Sequence, residues 1–332
     1  MIASTAKRPR ILSGMRPTGK LHLGNYLGAL QNWVALQDSS ENFHMVADWH
    51  ALTTDYEHVD ELAPNTIEMV TDWLAAGIDP ERSPVFIQSR VKEHAELHLL
   101  FSMLVTTSRL ERNPTVKEQV RDLGMEQTMS YGHLGYPVLQ AADILLYKAN
   151  LVPVGEDQVP HVEVTREIAR KFNSLYGEVF PVPEAKLTHF PRLPGLDGRR
   201  MSKSLGNTVL ISDSPEEITA KIRTAYTDPK KLRVSDPGNP DGCVVFAYHR
   251  AFNGGSAPQI DALCRAGKLG CVADKTDLAR ILAAELAPLR ERRKELAARP
   301  ERVREALRYG EGKARAIAVQ TMSEVREAMK LP

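Results

Sequence analysis

The sequence predicts an α/β fold, in which a parallel β-sheet with crossover helices is followed by a mainly helical final third. From residue 10 to about residue 190, short apolar runs alternate with longer amphipathic segments. The clearest apolar runs are Ile11-Leu12, Phe43–Ala47 and Val85–Ile87. Such alternation is typical of parallel sheets, whose ligands bind at the carboxyl ends of the strands. The polar groups Asp48-Trp49-His50 and Gln88-Ser89 follow two of these runs, so we expect them at that edge.

Local signals predict the individual elements. A strand is expected at Arg10–Ser13, followed by a helix at Tyr26–Gln37 whose apolar residues repeat at helical spacing. Ser214 is a typical helix cap because Pro215 follows it in the first turn. The other predicted segments are a long amphipathic helix at Glu93–Arg112, a flexible polar loop at Asn113–Gly135, an irregular connection at Asp228–Gly242, and helices at Asp277–Arg308 and Glu311–Met329.

Composition narrows the class of protein. A chain of 332 residues with 42% hydrophobic residues can build one large or two ordinary domains. The formal net charge of +1 argues against a uniformly basic nucleic-acid binder, so contacts with RNA must come from local patches. No uncharged apolar stretch approaches the ~20 residues that span a bilayer. Three cysteines fit a reduced compartment, so we expect a cytoplasmic protein without a membrane partner.

Two short segments have the composition of phosphate-binding sites. His22-Leu23-Gly24-Asn25 opens the predicted helix, where unpaired backbone N–H groups and the helix dipole attract anions. Arg200-Met201-Ser202-Lys203-Ser204 lies in a polar loop and supplies cations that can neutralise a departing pyrophosphate. Their order and separation fit one ATP bound by two halves of a site.

These segments match the HIGH-like and KMSKS signatures, and the chain resembles the class I aminoacyl-tRNA synthetases. Within this class it is most similar to the bacterial tryptophanyl-tRNA synthetases, whose signature stretches occur here in the family order. They are Ser13–Gly19, Tyr136–Asp143, Val152–Gln158 and Met201–Ser204. The resemblance runs from about residue 10 to the C-terminus, and the four stretches together are far more specific than a KMSKS-type loop alone.

The resemblance implies a domain organisation. A Rossmann-like catalytic domain would comprise residues 10–204, and a C-terminal α-helical tRNA-binding domain would follow. Within the latter, residues 205–310 would bind the anticodon, and residues 311–332 would form a helix that packs back on the catalytic domain. Residues 1–9 would be a disordered extension.

The resemblance also implies an activity. L-Tryptophan would react with ATP to give tryptophanyl-adenylate and pyrophosphate, and the tryptophan would then be transferred to tRNA(Trp). The implied catalytic residues are His22, Asn25, Arg200 and Lys203. The implied ATP-binding residues are Arg16, Pro17, Thr18, Gly24, Asn25, Gly155, Glu156, Asp157, Leu193, Arg200, Met201, Ser202, Lys203 and Ser204. Mg²⁺ would bind the pyrophosphate oxygens, since no carboxylate cluster indicates a metal site on the protein.

The indole ring of tryptophan has one polar group, its N–H, so a selective pocket needs one hydrogen-bond acceptor among apolar walls. The resemblance assigns this acceptor to Asp143, although an aspartate in this helix-start context is also a common N-cap. Tyr136 and Gln158 would bind the substrate amino group. The full set of implied tryptophan-binding residues is Leu12, Tyr136, Gln140, Asp143, Val152, Val154 and Gln158.

The resemblance implies a homodimer that binds one tRNA across both subunits. Basic residues that would contact the tRNA are Arg109, Arg112, Lys117, Lys230 and Lys231. Basic side chains on helices usually form solvated faces, so their role rests on the resemblance alone.

Some residues depart from the family pattern. Asn25 replaces the second histidine of HIGH, Arg16 and Gln140 replace the Gln and Met of many relatives, and Gln119 replaces a lysine. A final set consists of Cys243, Cys264, Cys271 and Asp274, spaced as the four ligands of a [4Fe–4S] cluster in some relatives. Because Asp274 stands where the fourth thiolate would be, we expect three ordinary thiols rather than a cluster.

Three other functions compete with this interpretation. Tyrosyl-tRNA synthetases share the spacing of Tyr136, Gln140 and Asp143, but have a tyrosine where this chain has Leu12. A small-molecule adenylyltransferase using an HxGx motif would need neither a KMSKS loop nor a helical tRNA domain. A non-catalytic RNA-binding relative would be expected to lose His22 or Lys203, and both are present.

Overall fold

The predicted parallel sheet is present and has five strands. A computed structural model describes residues 8–187 and 193–332, and the strands follow the order β3-β2-β1-β4-β5. The strands are β1 (Arg10–Met15), β2 (Glu41–Val46), β3 (Val85–Ile87), β4 (Leu151–Val154) and β5 (Glu184–Leu187). All pairings are parallel. The strand order reverses between β1 and β4, and ligands of such sheets bind beside the carboxyl ends of the strands at this reversal.

The chain forms two compact units. Within the described residues, the sheet unit comprises residues 8–19, 32–187 and 299–332, and the helical unit comprises residues 20–31 and 193–298. The predicted boundary at residue 204 therefore differs from the division between the units. The segment that carries His22 belongs to the helical unit, while residues 299–332 belong to the sheet unit. The anticodon-binding role of residues 205–310 stays a prediction, and the predicted disorder of residues 1–9 falls mostly outside the described residues.

Two predictions for the helices of the sheet unit are wrong. The helices of this unit are α2 (Gln31–Leu36), α3 (Asp48–Leu52), α4 (Leu62–Ala76), α5 (Glu93–Ser102), α6 (Thr107–Glu111), α7 (Pro114–Asp122), α8 (Tyr131–Leu146), α9 (Val159–Tyr176) and α15 (Pro300–Met329). The single helix predicted at 93–112 is two helices. The loop predicted at 113–135 contains α7, which begins because the Asn113 side chain accepts the Thr115 N–H at 3.0 Å and Pro114 occupies the first turn.

The helical unit contains α1 (Leu23–Asn25), α10 (Pro215–Arg223), α11 (Val244–Phe252), α12 (Ala257–Arg265), α13 (Cys271–Glu285) and α14 (Ala287–Ala297). A π-helical turn at Tyr26–Leu30 joins α1 to α2. The cap predicted at Ser214 is confirmed, because its side chain accepts the Glu217 N–H at 3.1 Å and the Glu217 carboxylate accepts the Ser214 N–H at 2.7 Å.

The C-terminal helices end at positions other than those predicted. The helices expected at 277–308 and 311–329 are α13, α14 and a continuous α15 of 30 residues. Pro288 and Pro300 each lie in the first turn of a helix, and both starts could have been recognised from this preference. No described helix is long and apolar enough to cross a membrane.

Helix α15 packs against the rest of the sheet unit along its length. It packs on β3, α4, α5 and α8, and its residues Ala314, Ala318, Met322 and Val325 belong to the main core cluster. The Arg326 guanidinium donates two hydrogen bonds to the Glu96 carboxylate, at 2.8 and 2.5 Å, and Lys148 pairs with Glu324. At Gly310 the helix lies so close to β3 that an added Cβ would stand 1.9 Å from the Val85 carbonyl oxygen.

We expect Gly310→Ala to lower the free energy of unfolding, because its methyl group must push α15 away from β3. Overpacking of this kind costs about 1–3 kcal/mol. Gly312→Ala is the matched control: no atom lies within 4 Å of its added Cβ, and replacing an exposed helical glycine should raise stability by about 1 kcal/mol. Urea titrations of both variants provide the test. Equal stability of the two would contradict the close packing of α15.

Candidate active site

His22 begins the helix that carries the first predicted motif. Its ring Nδ1 accepts the Asn25 N–H at 3.2 Å, and the Asn25 side-chain oxygen accepts the His22 N–H at 3.2 Å. This reciprocal pair is a capping box, so His22 is a helix cap as well as a candidate ligand-binding residue. Gly24 and Asn25 lie in the first turn, as the sequence predicted.

The His22 ring is neutral near pH 7. Burial, together with the nearby charge of Lys203, lowers the pKa of His22 to about 4. Because Nδ1 accepts a hydrogen bond, the ring proton is on Nε2, which can donate to a bound ligand. The Asn25 oxygen is already used in the cap, which leaves the Asn25 amide N–H₂ as its donor.

The two motifs are brought together within the helical unit. The Leu23 N–H donates to the Val209 carbonyl at 2.9 Å, and the Ile211 N–H donates to the Leu21 carbonyl at 2.9 Å. A Cβ added at Gly24 would stand 3.0 Å from the His22 ring and 3.3 Å from the Met201 sulfur. Glycine at position 24 therefore allows the His22 ring and the Met201 sulfur to lie close to the backbone.

The KMSKS-type loop is held by Asn207, a buried residue that the sequence interpretation missed. Its side-chain oxygen accepts the Ser202 N–H at 2.8 Å. Its amide donates to the Asp197 carboxylate at 2.8 Å and to the Arg200 carbonyl at 3.0 Å. Gly195 allows this arrangement, since an added Cβ would stand 2.3 Å from the Asn207 amide nitrogen. Asn207 thus holds the backbone of the loop that carries Arg200 and Lys203.

The predicted residues of this loop lie close to that frame. Lys203 is half-buried and begins a 3₁₀ turn. Arg200 is exposed, while Leu193 and Met201 are buried. The side chain of Ser204 lies outside what the structure describes.

In the sheet unit, the middle of α8 carries the predicted tryptophan-binding residues. Tyr136, Gln140 and Asp143 lie along one helix face because they are spaced by four and three residues. Asp143 is buried deep inside this helix rather than at its start, so the alternative role as an N-cap is wrong. The helix begins at Tyr131 with Ser130 as cap, and Pro137 is accommodated within it.

Hydrogen-bond donors converge on the Asp143 carboxylate. The Gln88 amide donates to Oδ1 at 2.8 Å and to Oδ2 at 3.0 Å. His94 Nδ1 lies 2.7 Å from Oδ1, and His50 Nε2 lies 2.8 Å from Oδ2. Gln88 and His50 follow β3 and β2, so the expectation of polar groups at the carboxyl ends of these strands is confirmed. The contribution of His94 was missed.

Asp143 is held in its ionised form. Burial by itself would raise the pKa of this carboxyl, but hydrogen bonds from His50 and His94 outweigh burial and hold the pKa below its usual range. Stability supplied by this ionised group is therefore present above its unfolded-state pKa and is lost as the pH falls through the lower folded-state value. Near neutral pH the carboxylate is charged and acts only as an acceptor.

The other predicted tryptophan-binding residues of the sheet unit lie on β1, on β4 and on α8. Leu12 and Val152 are buried, and Val154 is half-buried beside the core. The Tyr136 hydroxyl lies 2.6 Å from Nε2 of His161, a second histidine that the sequence interpretation missed. Burial lowers the pKa of His161 to about 4, so this ring is neutral.

The Gly155–Gln158 segment contains one contact that the sequence did not predict. The Gln158 amide nitrogen donates to the Asp157 carboxylate at 2.9 Å, so the amide oxygen is the atom that would accept from a substrate amino group. A Cβ at Gly155 would stand 2.8 Å from Asp157 Oδ1, so glycine is needed here. Glu156 and Asp157 are exposed. Arg16 donates to the Thr54 hydroxyl, Pro17 is buried and Thr18 is exposed.

The residues predicted to contact tRNA have different environments. Arg109 is engaged by Glu167 in a two-pronged ion pair at 2.7 and 2.8 Å, and Lys231 Nζ donates to the Val234 carbonyl at 3.0 Å. Arg112, Lys117 and Lys230 are exposed.

The four residues at the spacing of a cluster site line one pocket. Burial raises the pKa of the Cys243 and Cys264 thiols, whereas metal ligation requires thiolates. The Asp274 carboxylate lies 3.1 Å from Nε2 of the buried His249. Among the described residues, no group of three or more His, Cys, Asp or Glu is arranged to hold a metal ion.

Comparisons with known proteins agree with the geometry. The family described as "tRNA synthetases class I (W and Y)" matches residues 4–287. A tryptophan–tRNA ligase of Thermotoga maritima is 53% identical over 325 residues, covering 97% of this chain and 99% of that protein. A tryptophan–tRNA ligase of Aquifex aeolicus is 46% identical over 394 residues, covering 97% of this chain and 100% of that protein.

A solved structure shares the fold over its whole length. The tryptophanyl-tRNA synthetase of Campylobacter jejuni, complexed with ADP and tryptophan, has a TM-score of 0.85 and 35% identity, with 97% of this chain and 100% of that chain covered. The chain belongs to the class I tRNA synthetases of the tryptophan and tyrosine family.

Proposed function

We propose that the protein is a tryptophan–tRNA ligase. It activates L-tryptophan with ATP to tryptophanyl-adenylate and pyrophosphate, and it transfers the tryptophan to tRNA(Trp). The observation that carries this proposal is the ionised, buried carboxylate of Asp143 on the helix face that also presents Tyr136. A pocket with one acceptor and the apolar walls Leu12 and Val152 suits an aromatic side chain that has one N–H group.

Leu12 supports tryptophan over tyrosine as the substrate. The side chain is buried and apolar, so it offers no hydrogen bond to a phenol. A tyrosine hydroxyl in this pocket could donate to Asp143 but would find no donor at Leu12. Sites built to satisfy a substrate polar group discriminate strongly against ligands whose groups they leave unmatched.

Activation requires positioning and charge stabilisation rather than a nucleophile from the protein. The tryptophan carboxylate attacks the α-phosphorus of ATP, a new C–O–P linkage forms, and the bond to the β-phosphate oxygen breaks to release pyrophosphate. Lys203 and Arg200 stabilise the charge on the leaving pyrophosphate. His22 Nε2–H, the Asn25 amide and the backbone at Gly24 bind ATP, with Met201 beside the adenine. Mg²⁺ enters on the phosphate oxygens of ATP as part of the substrate.

The sheet unit carries further residues to which the resemblance assigns a role in substrate binding. Asp157, kept close to Gly155, binds the ribose, and Arg16 binds near the phosphates. Tyr136 binds the tryptophan amino group, and the Gln158 oxygen accepts from it while the Gln158 amide nitrogen donates to Asp157. The exposed side chains of Arg112, Lys117 and Lys230 are available for tRNA. The resemblance leads us to expect a homodimer in the cytoplasm.

Pyrophosphate exchange tests the proposal. The rate of exchange of labelled pyrophosphate into ATP is measured with tryptophan, with tyrosine and with no amino acid. We expect exchange that depends on tryptophan. Exchange that depends on tyrosine would identify the protein as a tyrosyl-tRNA synthetase instead. Exchange without any amino acid would indicate a small-molecule adenylyltransferase.

Lys203→Ala should lower kcat for activation by about a hundredfold while tryptophan binding changes little. The reason is that the lysine acts on charge that appears only in the transition state. Lys268→Ala removes an exposed lysine from the same unit and is the matched control. Exchange kinetics at saturating tryptophan provide kcat, and a rate within twofold of wild type would refute this role.

Asp143→Asn should reduce the preference for tryptophan over phenylalanine. An asparagine oxygen still accepts a hydrogen bond but loses the charge, and charge-assisted hydrogen bonds are roughly twice as strong as neutral ones. The kcat/KM ratio for the two amino acids measures the effect, with exposed Asp60→Asn as control. An unchanged ratio would mean that Asp143 has only a structural role.

The purified protein should contain little iron. Its Cys243 and Cys264 thiols favour the protonated state, and Asp274 pairs with His249 in place of a fourth thiolate. Anaerobic purification followed by iron and sulfide analysis tests this expectation. About four irons per chain, lost on Asp274→Ala, would contradict it.

A further inference from the structure

A buried hydrogen-bonded chain continues from Asp143 away from the apolar walls of the proposed pocket. His94 Nδ1 lies 2.7 Å from Asp143 Oδ1, and His94 Nε2 lies 2.8 Å from the Tyr147 hydroxyl. All three side chains are almost completely buried. We propose that His94 and Tyr147 are positioning residues that select the indole N–H, because they orient the carboxylate that accepts it. This proposal rests on the proposed function.

In the hydrogen-bonded chain, Tyr147 donates to His94 and His94 donates to Asp143. Burial raises the pKa of Tyr147 well above its usual value, so its hydroxyl keeps its proton and can donate. Within the described residues, this hydroxyl makes no hydrogen bond other than the one to His94. Donation from Tyr147 to Nε2 places the histidine proton on Nδ1, where it faces the Asp143 carboxylate.

Packing fixes the rings of the chain. The His94 ring stacks on Phe86 with an interplanar angle of 25° and also contacts the Tyr147 ring. Tyr147 in turn stacks on Phe43 with an interplanar angle of 21°. Because Phe43 and Phe86 come from β2 and β3, the sheet itself sets the orientation of the histidine. Such support is the usual way in which a site holds its recognising group to within a fraction of an ångström.

The arrangement distinguishes the two carboxylate oxygens. Oδ1 receives two short hydrogen bonds, from Gln88 after β3 and from His94 on α5. Oδ2 receives one short bond from His50 and only the longer, shared bond from Gln88. A carboxylate oxygen has two lone pairs. Each oxygen thus has two donors, but the Gln88 bond to Oδ2 is the longer of its two shared bonds and is the one that an indole N–H can replace. His94 keeps Oδ1 engaged, so that Oδ2 is the oxygen offered to the substrate.

A tryptophan analogue separates this role from a structural one. In 3-(benzothiophen-3-yl)alanine, sulfur replaces the indole N–H while the shape of the ring system is nearly the same. Removal of a residue that only supports packing should weaken activation of both amino acids equally. Removal of a residue that positions Asp143 for the N–H should weaken activation of tryptophan and spare the analogue.

The experiment measures kcat/KM for both amino acids by pyrophosphate exchange. In Tyr147→Phe, the value for tryptophan should fall about tenfold, the loss expected for one misplaced hydrogen bond, while the analogue stays within twofold. Tyr176→Phe is the matched control. Tyr176 also packs on the core, but within the described residues its side chain is not part of the hydrogen-bonded chain of Asp143, His94 and Tyr147. Equal losses for both amino acids, or no loss, would overturn the proposal.

Two substitutions at His94 give an independent measurement. Asparagine can place an amide N–H near the position of the ring Nδ1, so His94→Asn should keep most of the preference for tryptophan over the analogue. His94→Leu has no donor and should lose that preference. Equal preferences in these two variants would overturn the proposal even if Tyr147→Phe did not fold. If the wild-type enzyme does not activate tryptophan at all, the proposed function fails instead.

Discussion

The structure of the sheet unit depends on one buried charge, the carboxylate of Asp143. A buried ion without partners costs several kcal/mol, so this group can exist only where donors meet it. The donors come from His50 after β2, Gln88 after β3 and His94 on α5. The same contacts therefore lock α8 to the carboxyl edge of the sheet and prepare an acceptor of fixed orientation. Stability and specificity share these hydrogen bonds.

The helical unit meets a different requirement, because activation needs cations that act on a short-lived charge. The backbone of the KMSKS-type loop is fixed by Asn207, which joins three separated points of the loop through its amide. Lys203 follows directly after Ser202, whose N–H is bound by Asn207. A rigid loop backbone with long cationic side chains combines accurate placement with access to a leaving group. The capped helix at His22 provides a second rigid element of the same unit.

The sequence predicted the parts that depend on local chemistry. Apolar runs marked β1, β2 and β3 to within a few residues, and Ser214 was recognised as a helix cap from the proline that follows it. Contacts between distant residues were not predictable in this way. His94 meets Asp143 across 49 positions, and nothing near His94 in the sequence distinguishes it from a surface helical residue. Asp143 was expected near a helix start, whereas α8 begins at Tyr131 and accommodates Pro137 in its interior. A break was expected between residues 308 and 311, but α15 is continuous there and Gly310 allows its close approach to β3.

The distance between the indole nitrogen of bound tryptophan and the Asp143 carboxylate tests the central claim most directly. A crystal structure of the protein with tryptophan supplies it. The account predicts that the nitrogen lies within about 3.2 Å of Oδ2, while His94 keeps its hydrogen bond to Oδ1. An indole nitrogen directed at another group, or more than about 3.5 Å from both carboxylate oxygens, would contradict the account.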